Sequence, residues 1–316
     1  MTEHRRLGSS DLKTPPMVLG GNVFGWTADK AASFRILDRW ADLGGVMIDT
    51  ADVYSAWVPG HRGGESERVI GEWLALSGKR DRVLIATKVG MLPGDGGDKL
   101  APARIKAACD ASLARLGIDR IDLYFAHQDD ESVAQEEVLA AFATLIDAGK
   151  VDTIGASNFH AARLKSALDI ATRDGLPHYR VLQPEYNLVS RHRFEGELQD
   201  LCIERNIGVV PYYALASGFL TGKYRSEADL GKSVRGGRMG ALLQGKGADV
   251  LAAMDAIAAE TGATLAQIAL AWLAAQPGVT APIASATSIA QLDELAGAWN
   301  VMLQRDQLDR LTAAGA

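Results

Sequence analysis

The chain has 316 residues, of which 47% are hydrophobic and 23% charged, and its net charge is -6. This acidic balance argues against a nucleic-acid partner or an anionic membrane surface. No apolar signal segment opens the chain, and no uninterrupted apolar stretch approaches the ~20 residues of a membrane span, so we predict a cytoplasmic protein. Cys109 and Cys202 lie in helix-like stretches without metal-ligand spacing, which predicts reduced, structural thiols.

Short apolar runs alternate with helix-like stretches along the chain. Residues 5–19 are expected to form a hairpin and then a first strand. Later strands are predicted at 46–49, 82–87, 121–126, 151–155, 180–184, 207–211 and 279–284, with helices at 29–43, 65–77, 102–116, 133–148, 160–173, 191–205 and 288–298. The runs lack polar alternation, as in parallel strands buried on both faces. The pattern therefore predicts an α/β fold, a single (β/α)8 TIM barrel over residues 1–316, rather than an open doubly wound sheet.

Two segments are too long to be plain connections. Residues 55–64 follow the second barrel strand, and the glycine-rich residues 216–247 follow the seventh. Long loops at the catalytic face are usually lids or binding loops, with a disordered insertion over 225–247 as the alternative. Residues 250–259 and 265–275 are expected to form two helices, one of them extra to the barrel. Thr264 and Gln267 resemble a capping box for the second.

Four titratable residues follow three successive strands. Asp49, Lys88 and His127 each end a strand, and Tyr54 lies five residues after Asp49. The reactive groups of barrels lie at these carboxyl ends. The Lys88 cation, paired with Asp49, is expected to lower the pKa of Tyr54 and make it a better proton donor. His127 can donate a hydrogen bond to the same substrate oxygen.

Together these groups would polarise a carbonyl and protonate its oxygen while a nicotinamide delivers hydride, which side chains cannot supply. Taken singly, each residue has a structural alternative. The aspartate suits a helix cap or turn, the tyrosine and histidine suit core packing, and the lysine suits a solvated strand end. Their joint occurrence on three consecutive strand ends favours the catalytic interpretation.

Six segments resemble the aldo-keto reductases, near the branch of bacterial members and channel β subunits. The segments are GVMIDTADVY (45–54), IATK (85–88), DLYFAH (122–127), GKVDTIGASNF (149–159), QPEYN (183–187) and GFLTGKY (218–224). The resemblance implies a barrel that binds NADP(H) in extended form and reduces aldehydes or ketones. Asp49, Tyr54, Lys88 and His127 would be its catalytic residues, with Tyr54 as proton donor.

The resemblance also implies cofactor contacts. Ser157, Asn158 and Gln183 match positions that hold the nicotinamide carboxamide, for which amide side chains offer donors and acceptors. Tyr212 matches the aromatic that stacks on the nicotinamide ring, with strand-end packing as the alternative. Tyr213 and Ala214 replace a common Ser-Pro. The other expected contacts on this side are Gly21, Asn22, Asp49, Tyr213, Leu215, Ser217, Leu220 and Lys223.

The adenosine end departs from the resemblance. Many relatives carry Gly-Ala-Arg or Gly-Ala-Ser after the eighth strand, where this chain has ASATS (284–288). Thr287 offers a 2′-phosphate a hydroxyl but no charge, although such a phosphate normally attracts a guanidinium. Arg235, or less favourably Arg238, could supply one, so we predict NADP(H) with NAD(H) as the alternative. The expected contacts at this end are Arg235, Ser285, Thr287, Gln291 and Glu294.

The expected partner is a small carbonyl substrate. Phe24, Trp26 and Trp57 lie on loops that open toward the mouth, where they and His127 would form the substrate wall. Loop packing is the alternative for the tryptophans. The acidic residues 128–131 suit a loop and helix start rather than a metal site. Two other functions fit the same residues: oxidation of a sugar or secondary alcohol with NAD(P)+, and a nucleotide-sensing partner subunit with little turnover.

Overall fold

The computed structural model describes residues 3–232 and 236–316, apart from the side chain of Arg238. The strands are β1 (Arg5–Arg6), β2 (Lys13–Thr14), β3 (Val18–Gly20), β4 (Met47–Asp49), β5 (Leu84–Val89), β6 (Ile121–Ala126), β7 (Val151–Ser157), β8 (Val181–Gln183), β9 (Gly208–Val209) and β10 (Ile283–Ala284). The helices are α1 (Lys30–Asp42), α2 (Glu65–Ser77), α3 (Pro102–Leu116), α4 (Gln135–Asp147), α5 (Ala161–Asp174), α6 (Glu197–Glu204), α7 (Lys246–Thr261), α8 (Leu265–Ala274), α9 (Ile289–Ala296) and α10 (Arg305–Ala314).

The strands β3 to β10 form a closed parallel barrel. Their order is β10-β3-β4-β5-β6-β7-β8-β9, and each neighbouring pair is parallel. The backbone N–H of Thr280 donates to the carbonyl of Val209 at 2.8 Å, and that of Ile283 donates to Pro211 at 2.9 Å, which joins the two outer strands. The predicted (β/α)8 barrel is confirmed, and parallel strands bring their carboxyl ends to one face.

Apolar side chains fill the barrel in two layers. The inner layer contains Met47 and Phe125 together with Leu7 and Leu12 of the β1–β2 hairpin, which plugs the amino-terminal end. The outer layer packs strands against helices and includes the fully buried Trp40. Each such large side chain contributes roughly 1.5–3 kcal/mol on burial. The hairpin predicted at the start of the chain therefore closes the end opposite the strand carboxyl termini.

The C-terminal part contains one helix that the sequence patterns did not predict. α10 is mostly polar, with Leu311 buried, and it packs on α7 through an ion pair between Arg310 and Glu260 at 2.6 Å. Its short apolar stripe explains why the pattern was missed. The predicted capping box of Thr264 and Gln267 is confirmed at the start of α8. Short 3-10 turns occupy 216–221, 227–232, 236–238 and 240–242 of the long loop.

The described residues bear on two further features, membrane-spanning helices and metal ligands. No single helix among the described residues is long and apolar enough to cross a membrane, and α7 and α8 reach that length and composition only together, as a pair bent by 98°. The same residues contain no group of three or more His, Cys, Asp or Glu side chains arranged to hold a metal ion. The cytoplasmic location stays a prediction.

Candidate active site

Lys88 is fully buried near the end of β5, and its ammonium has three oxygen neighbours. Nζ donates to Asp49 Oδ2 at 2.7 Å, to the Thr50 carbonyl at 2.7 Å and to the Tyr54 hydroxyl at 3.1 Å. An ammonium has three N–H donors, so each is used once. The sequence predicted Asp49 and Tyr54 as neighbours but missed the Thr50 carbonyl. The position of Thr50, a polar residue directly after Asp49 at the strand end, is the sequence feature that could have indicated this contact.

Burial and charge compete in this group. Burial disfavours the Lys88 cation, but the Asp49 carboxylate and the Tyr54 hydroxyl outweigh it and hold the pKa of Lys88 above its usual value. Burial also raises the pKa of Tyr54, and the opposing effect of the Lys88 charge is smaller. The prediction of a lowered Tyr54 pKa is therefore wrong for this structure, because desolvation dominates. The phenol is protonated at neutral pH, which suits a proton donor.

His127 follows β6 and faces the same pocket. It is 7% exposed, and its ring lies 6.1 Å from the Tyr54 ring between centroids. Burial, followed by the Lys88 charge, lowers the pKa of His127 well below its usual value. The imidazole is therefore neutral, and among the described residues Nδ1 has no hydrogen-bond partner. A neutral imidazole has one N–H with which it can donate to a carbonyl oxygen.

Polar groups from β7, β8 and the segment after β9 meet beside Asp49. Gln183 Nε2 donates to Asp49 Oδ1 at 2.8 Å, and Ser157 Oγ donates to the Gln183 carbonyl at 2.8 Å. The Tyr212 hydroxyl donates to Asn158 Oδ1 at 2.8 Å. The structure thus brings these side chains together, while their contact with a nicotinamide stays a prediction. Their amide and hydroxyl atoms match the donors and acceptors of a carboxamide, so the set fits the amide of a nicotinamide.

The segment after β9 has an unusual backbone. Ala216, Ser217 and Gly218 have φ values of 46°, 56° and 96°, so three successive residues are left-handed. The N–H groups of Ala216 and Gly218 are bonded within the turn, to the Tyr213 and Leu215 carbonyls at 2.7 and 2.8 Å, so the side-chain donors of Ser217 and Lys223 are the ones suited to an anion. A Cβ on Gly218 would lie 3.0 Å from Lys223 Nζ, so the lysine ammonium approaches the same turn. This donor set fits a pyrophosphate.

Other predicted contacts on this segment differ in exposure. Leu215 is half-buried, whereas the Leu220 side chain is fully buried, which leaves Leu220 only its backbone for a cofactor contact. Tyr213 is 45% exposed with a φ of 56°, and its ring lies 5.0 Å from that of Tyr212. Its phenol therefore stands at the edge of the opening.

The first strand supplies the link to the adenosine end. The Gly21 N–H donates to the Asp49 carbonyl at 2.7 Å, and Ser285 Oγ donates to Asn22 Oδ1 at 2.6 Å. Gly21 and Asn22 thus lie between the tetrad and the segment after β10. A Cβ on Gly21 would lie 3.0 Å from the Asp49 carbonyl oxygen, so a larger residue would crowd this junction.

Among the predicted adenosine contacts, Gln291 and Glu294 are exposed, whereas Ser285 and Thr287 are half-buried. The Thr287 hydroxyl donates to Gln291 Oε1 at 3.0 Å, and the Glu294 carbonyl accepts from Gln267 at 2.9 Å. Arg235 lies outside the described residues, as does the side chain of Arg238. The proposed phosphate clamp therefore stays a prediction.

Aromatic rings flank the opening. Trp57 is 48% exposed, its ring lies 5.8 Å from the Tyr54 ring, and Trp26 packs edge-on against Trp57 at 5.6 Å. Phe24 is different because it is fully buried in the outer core layer. We therefore leave Phe24 out of the proposed substrate wall, which keeps Trp26, Trp57 and His127.

Comparison with known proteins identifies relatives over nearly the whole chain. The model of the Aldo/keto reductase family matches residues 16–316. The uncharacterized oxidoreductase YrpG of Bacillus subtilis is 33% identical over 98% of this chain and 94% of its own. A probable voltage-gated potassium channel subunit beta of Arabidopsis thaliana is 34% identical over 92% and 89%. Aldo-keto reductase yakc [NADP(+)] of Schizosaccharomyces pombe is 31% identical over 87% and 80%.

Proposed function

The chain belongs to the aldo/keto reductase family, and from that premise we propose that it reduces an aldehyde or ketone with NADPH. The family identifies an oxidoreductase that acts on carbonyl groups. One observation supports the assignment of roles: the buried Lys88 ammonium bonds Asp49, the Thr50 carbonyl and the Tyr54 hydroxyl at 2.7, 2.7 and 3.1 Å. This arrangement lies beside a donor set that suits a nicotinamide carboxamide.

A bound nicotinamide would supply the hydride that adds to the carbonyl carbon. Tyr54 donates its phenolic proton to the carbonyl oxygen. The negative charge left on Tyr54 lies next to the Lys88 ammonium, which stabilises it. Asp49 keeps that ammonium charged. The neutral His127 donates a hydrogen bond that orients the carbonyl and polarises it before the proton moves.

The choice of NADP(H) rests on phosphate-binding groups and on one relative. The yakc relative carries NADP(+) in its name. In this chain Ser217 and Lys223 would hold the pyrophosphate, and Arg235 with the Thr287 hydroxyl would bind the 2′-phosphate. NAD(H) is the alternative, because Thr287 stands where many relatives have arginine. A discriminating 2′-phosphate site then depends on Arg235.

A second candidate is a nucleotide-sensing partner subunit with little turnover. The relative in Arabidopsis thaliana with the channel-subunit name motivates it, at 34% identity. The four catalytic residue types and their short contacts favour turnover instead. Oxidation of a sugar or secondary alcohol with NADP+ would use the same groups in reverse, with Tyr54 accepting the proton.

The first experiment is a titration of the purified protein with NADPH and with NADH, followed by quenching of tryptophan fluorescence. Trp26 and Trp57 flank the opening and serve as reporters. We expect tight NADPH and weak NADH binding, then NADPH oxidation with para-nitrobenzaldehyde or another aldehyde in a screen. Failure to bind either nucleotide would contradict the proposed function. NADPH binding with very slow release and negligible turnover would favour the partner-subunit function.

A further inference from the structure

Three consecutive residues at the start of α2 form hydrogen bonds with the sequence neighbours of Asp49, Tyr54 and Lys88. They are Glu65, Ser66 and Glu67, and we call their side chains the α2 bracket. Ser66 and Glu67 are fully buried. The proposed reaction uses none of the three. Their partners lie on different strands and loops of the barrel.

Ser66 joins the ends of β3 and β4. Its Oγ accepts a hydrogen bond from Thr50 Oγ1 at 2.8 Å and donates one to the Gly21 carbonyl at 2.8 Å. Thr50 directly follows Asp49, and the Thr50 carbonyl accepts from Lys88 Nζ at 2.7 Å. The serine hydroxyl therefore fixes a residue that itself holds the lysine.

Glu67 contacts β5, the strand that carries Lys88, on the face opposite the Lys88 side chain. Its Oε1 accepts from Thr87 Oγ1 at 2.6 Å, and its Oε2 accepts from Arg115 Nε on α3 at 2.7 Å. Thr87 precedes Lys88 in β5, so the two side chains point to opposite faces of the sheet. A buried carboxylate is costly unless it is paired and hydrogen-bonded. Here the pairing ties α2 to β5 and α3.

Glu65 holds both ends of the loop at 55–64. Its Oε2 accepts from the N–H groups of Ser55 at 3.3 Å and Gly63 at 3.0 Å, and its Oε1 accepts from the Arg62 N–H at 3.0 Å. Ser55 directly follows Tyr54. One carboxylate thus anchors the loop next to the proposed proton donor.

We propose that the α2 bracket is a positioning element that sets Asp49, Tyr54 and Lys88 relative to one another. This inference rests on the proposed function and assigns no contact with substrate or cofactor to the bracket. Acidic residues stabilise the first turn of any helix, which accounts for the charges of Glu65 and Glu67. The helix dipole does not account for the two threonine hydroxyls that donate to the bracket, those of Thr50 after β4 and Thr87 on β5. Small displacements of reacting groups lower rates steeply, so these contacts matter for turnover.

The test removes single hydroxyls with Thr87→Val and Thr50→Val. Both changes keep the side-chain shape, and Thr50→Val keeps the carbonyl that holds Lys88. We expect kcat for para-nitrobenzaldehyde to fall about tenfold in each, because misplacement acts on the reacting groups. The NADPH Kd and the aldehyde KM should change less than about twofold, because neither ligand touches the bracket. Thr87→Ser keeps the hydroxyl and should restore kcat.

Thr153→Val is the matched control. Thr153 is a 7% exposed threonine on β7 whose hydroxyl donates to Asp152 at 3.3 Å, away from the bracket. Its kcat should equal that of wild type, even if its Tm falls. A second readout is the pH at which kcat drops in alkaline solution. This pH should be higher in Thr87→Val than in the wild type. The Lys88 charge lowers the pKa of Tyr54, and a looser contact between the two weakens that effect.

Circular dichroism shows whether Thr87→Val and Thr50→Val fold like the wild type. If they do and their kcat equals that of Thr153→Val, the inference is overturned. It is also overturned if Thr87→Ser is as impaired as Thr87→Val. Should Thr87→Val not fold, Thr50→Val and Glu67→Gln carry the same comparison. A wild-type protein that binds NADPH but reduces no carbonyl compound would overturn the proposed function and this inference with it.

Discussion

The two ends of the proposed cofactor site are built differently. At the nicotinamide end, Asp49 and Lys88 are buried on strands, and their groups meet at 2.7 Å. At the adenosine end, the predicted contacts that the structure describes follow β10, where Ser285 and Thr287 are half-buried and Gln291 and Glu294 are exposed. Barrel strands fix their neighbours through a backbone ladder, whereas surface loops tolerate change.

This difference separates chemistry from cofactor choice. Proton transfer needs groups held to a fraction of an ångström, and the strand ends supply that placement. Recognition of a 2′-phosphate needs one or two charged or hydroxyl groups on a surface segment. Substitutions at the buried end should therefore change kcat or folding. Substitutions at the adenosine end should change the KM for one nucleotide.

The largest effect is expected from Tyr54→Phe, at the buried nicotinamide end of the site. Loss of the proton donor should lower kcat roughly 1000-fold, as expected for removal of a general acid. The NADPH Kd should be unchanged, because the ring is kept. Stopped-flow reduction and fluorescence titration of the same variant measure both quantities. Turnover near the wild-type rate would rule out Tyr54 as the donor.

Lys88→Met tests whether the buried end also stabilises the fold. The change leaves the Asp49 carboxylate buried without its cation and should lower the free energy of unfolding by about 3–5 kcal/mol. The double variant Asp49→Asn/Lys88→Met should recover part of that loss, because no buried charge is left unpaired. Urea denaturation of both variants gives the two values. Equal stability of Lys88→Met and wild type would contradict this account of the pair.

A smaller effect is expected at the adenosine end. Arg235→Ala should raise the KM for NADPH roughly tenfold and leave that for NADH unchanged, because a charge-assisted hydrogen bond contributes about 1.5–3 kcal/mol. Arg225→Ala is the matched control, since Arg225 lies in the same long loop and pairs with Asp255 on α7 at 2.8 Å. An unchanged ratio of the two KM values in Arg235→Ala would remove that residue from the role.

The smallest effect concerns pH. Reduction needs protonated Tyr54 and neutral His127. The Tyr54 pKa lies above its usual value and the His127 pKa well below its own, so neither group titrates near neutrality. We expect kcat for reduction to be constant across neutral pH and to fall only in strongly alkaline solution, as the phenol loses its proton. A fall near pH 6.5, the ordinary value for histidine, would show that His127 titrates in the accessible range.

The barrel and the residues at its catalytic face could be predicted from the amino-acid sequence alone. Apolar runs without alternation and helix-like spacing between them are local patterns, and parallel strands necessarily bring Asp49, Lys88 and His127 to one end. The capping box at Thr264 is equally local. These features need no knowledge of distant neighbours, which is why they could be predicted.

The chemical behaviour of those residues, in contrast, depends on how the folded chain surrounds them. The raised Tyr54 pKa depends on how much water the folded chain excludes, and Phe24 entered the core because a loop packed inward. The contacts of the α2 bracket join α2 to residues distant in the sequence, such as Glu67 to Thr87 of β5 across 20 positions. Desolvation and hydrogen-bond partners are properties of surroundings rather than of local pattern, so they appear only once the chain has folded.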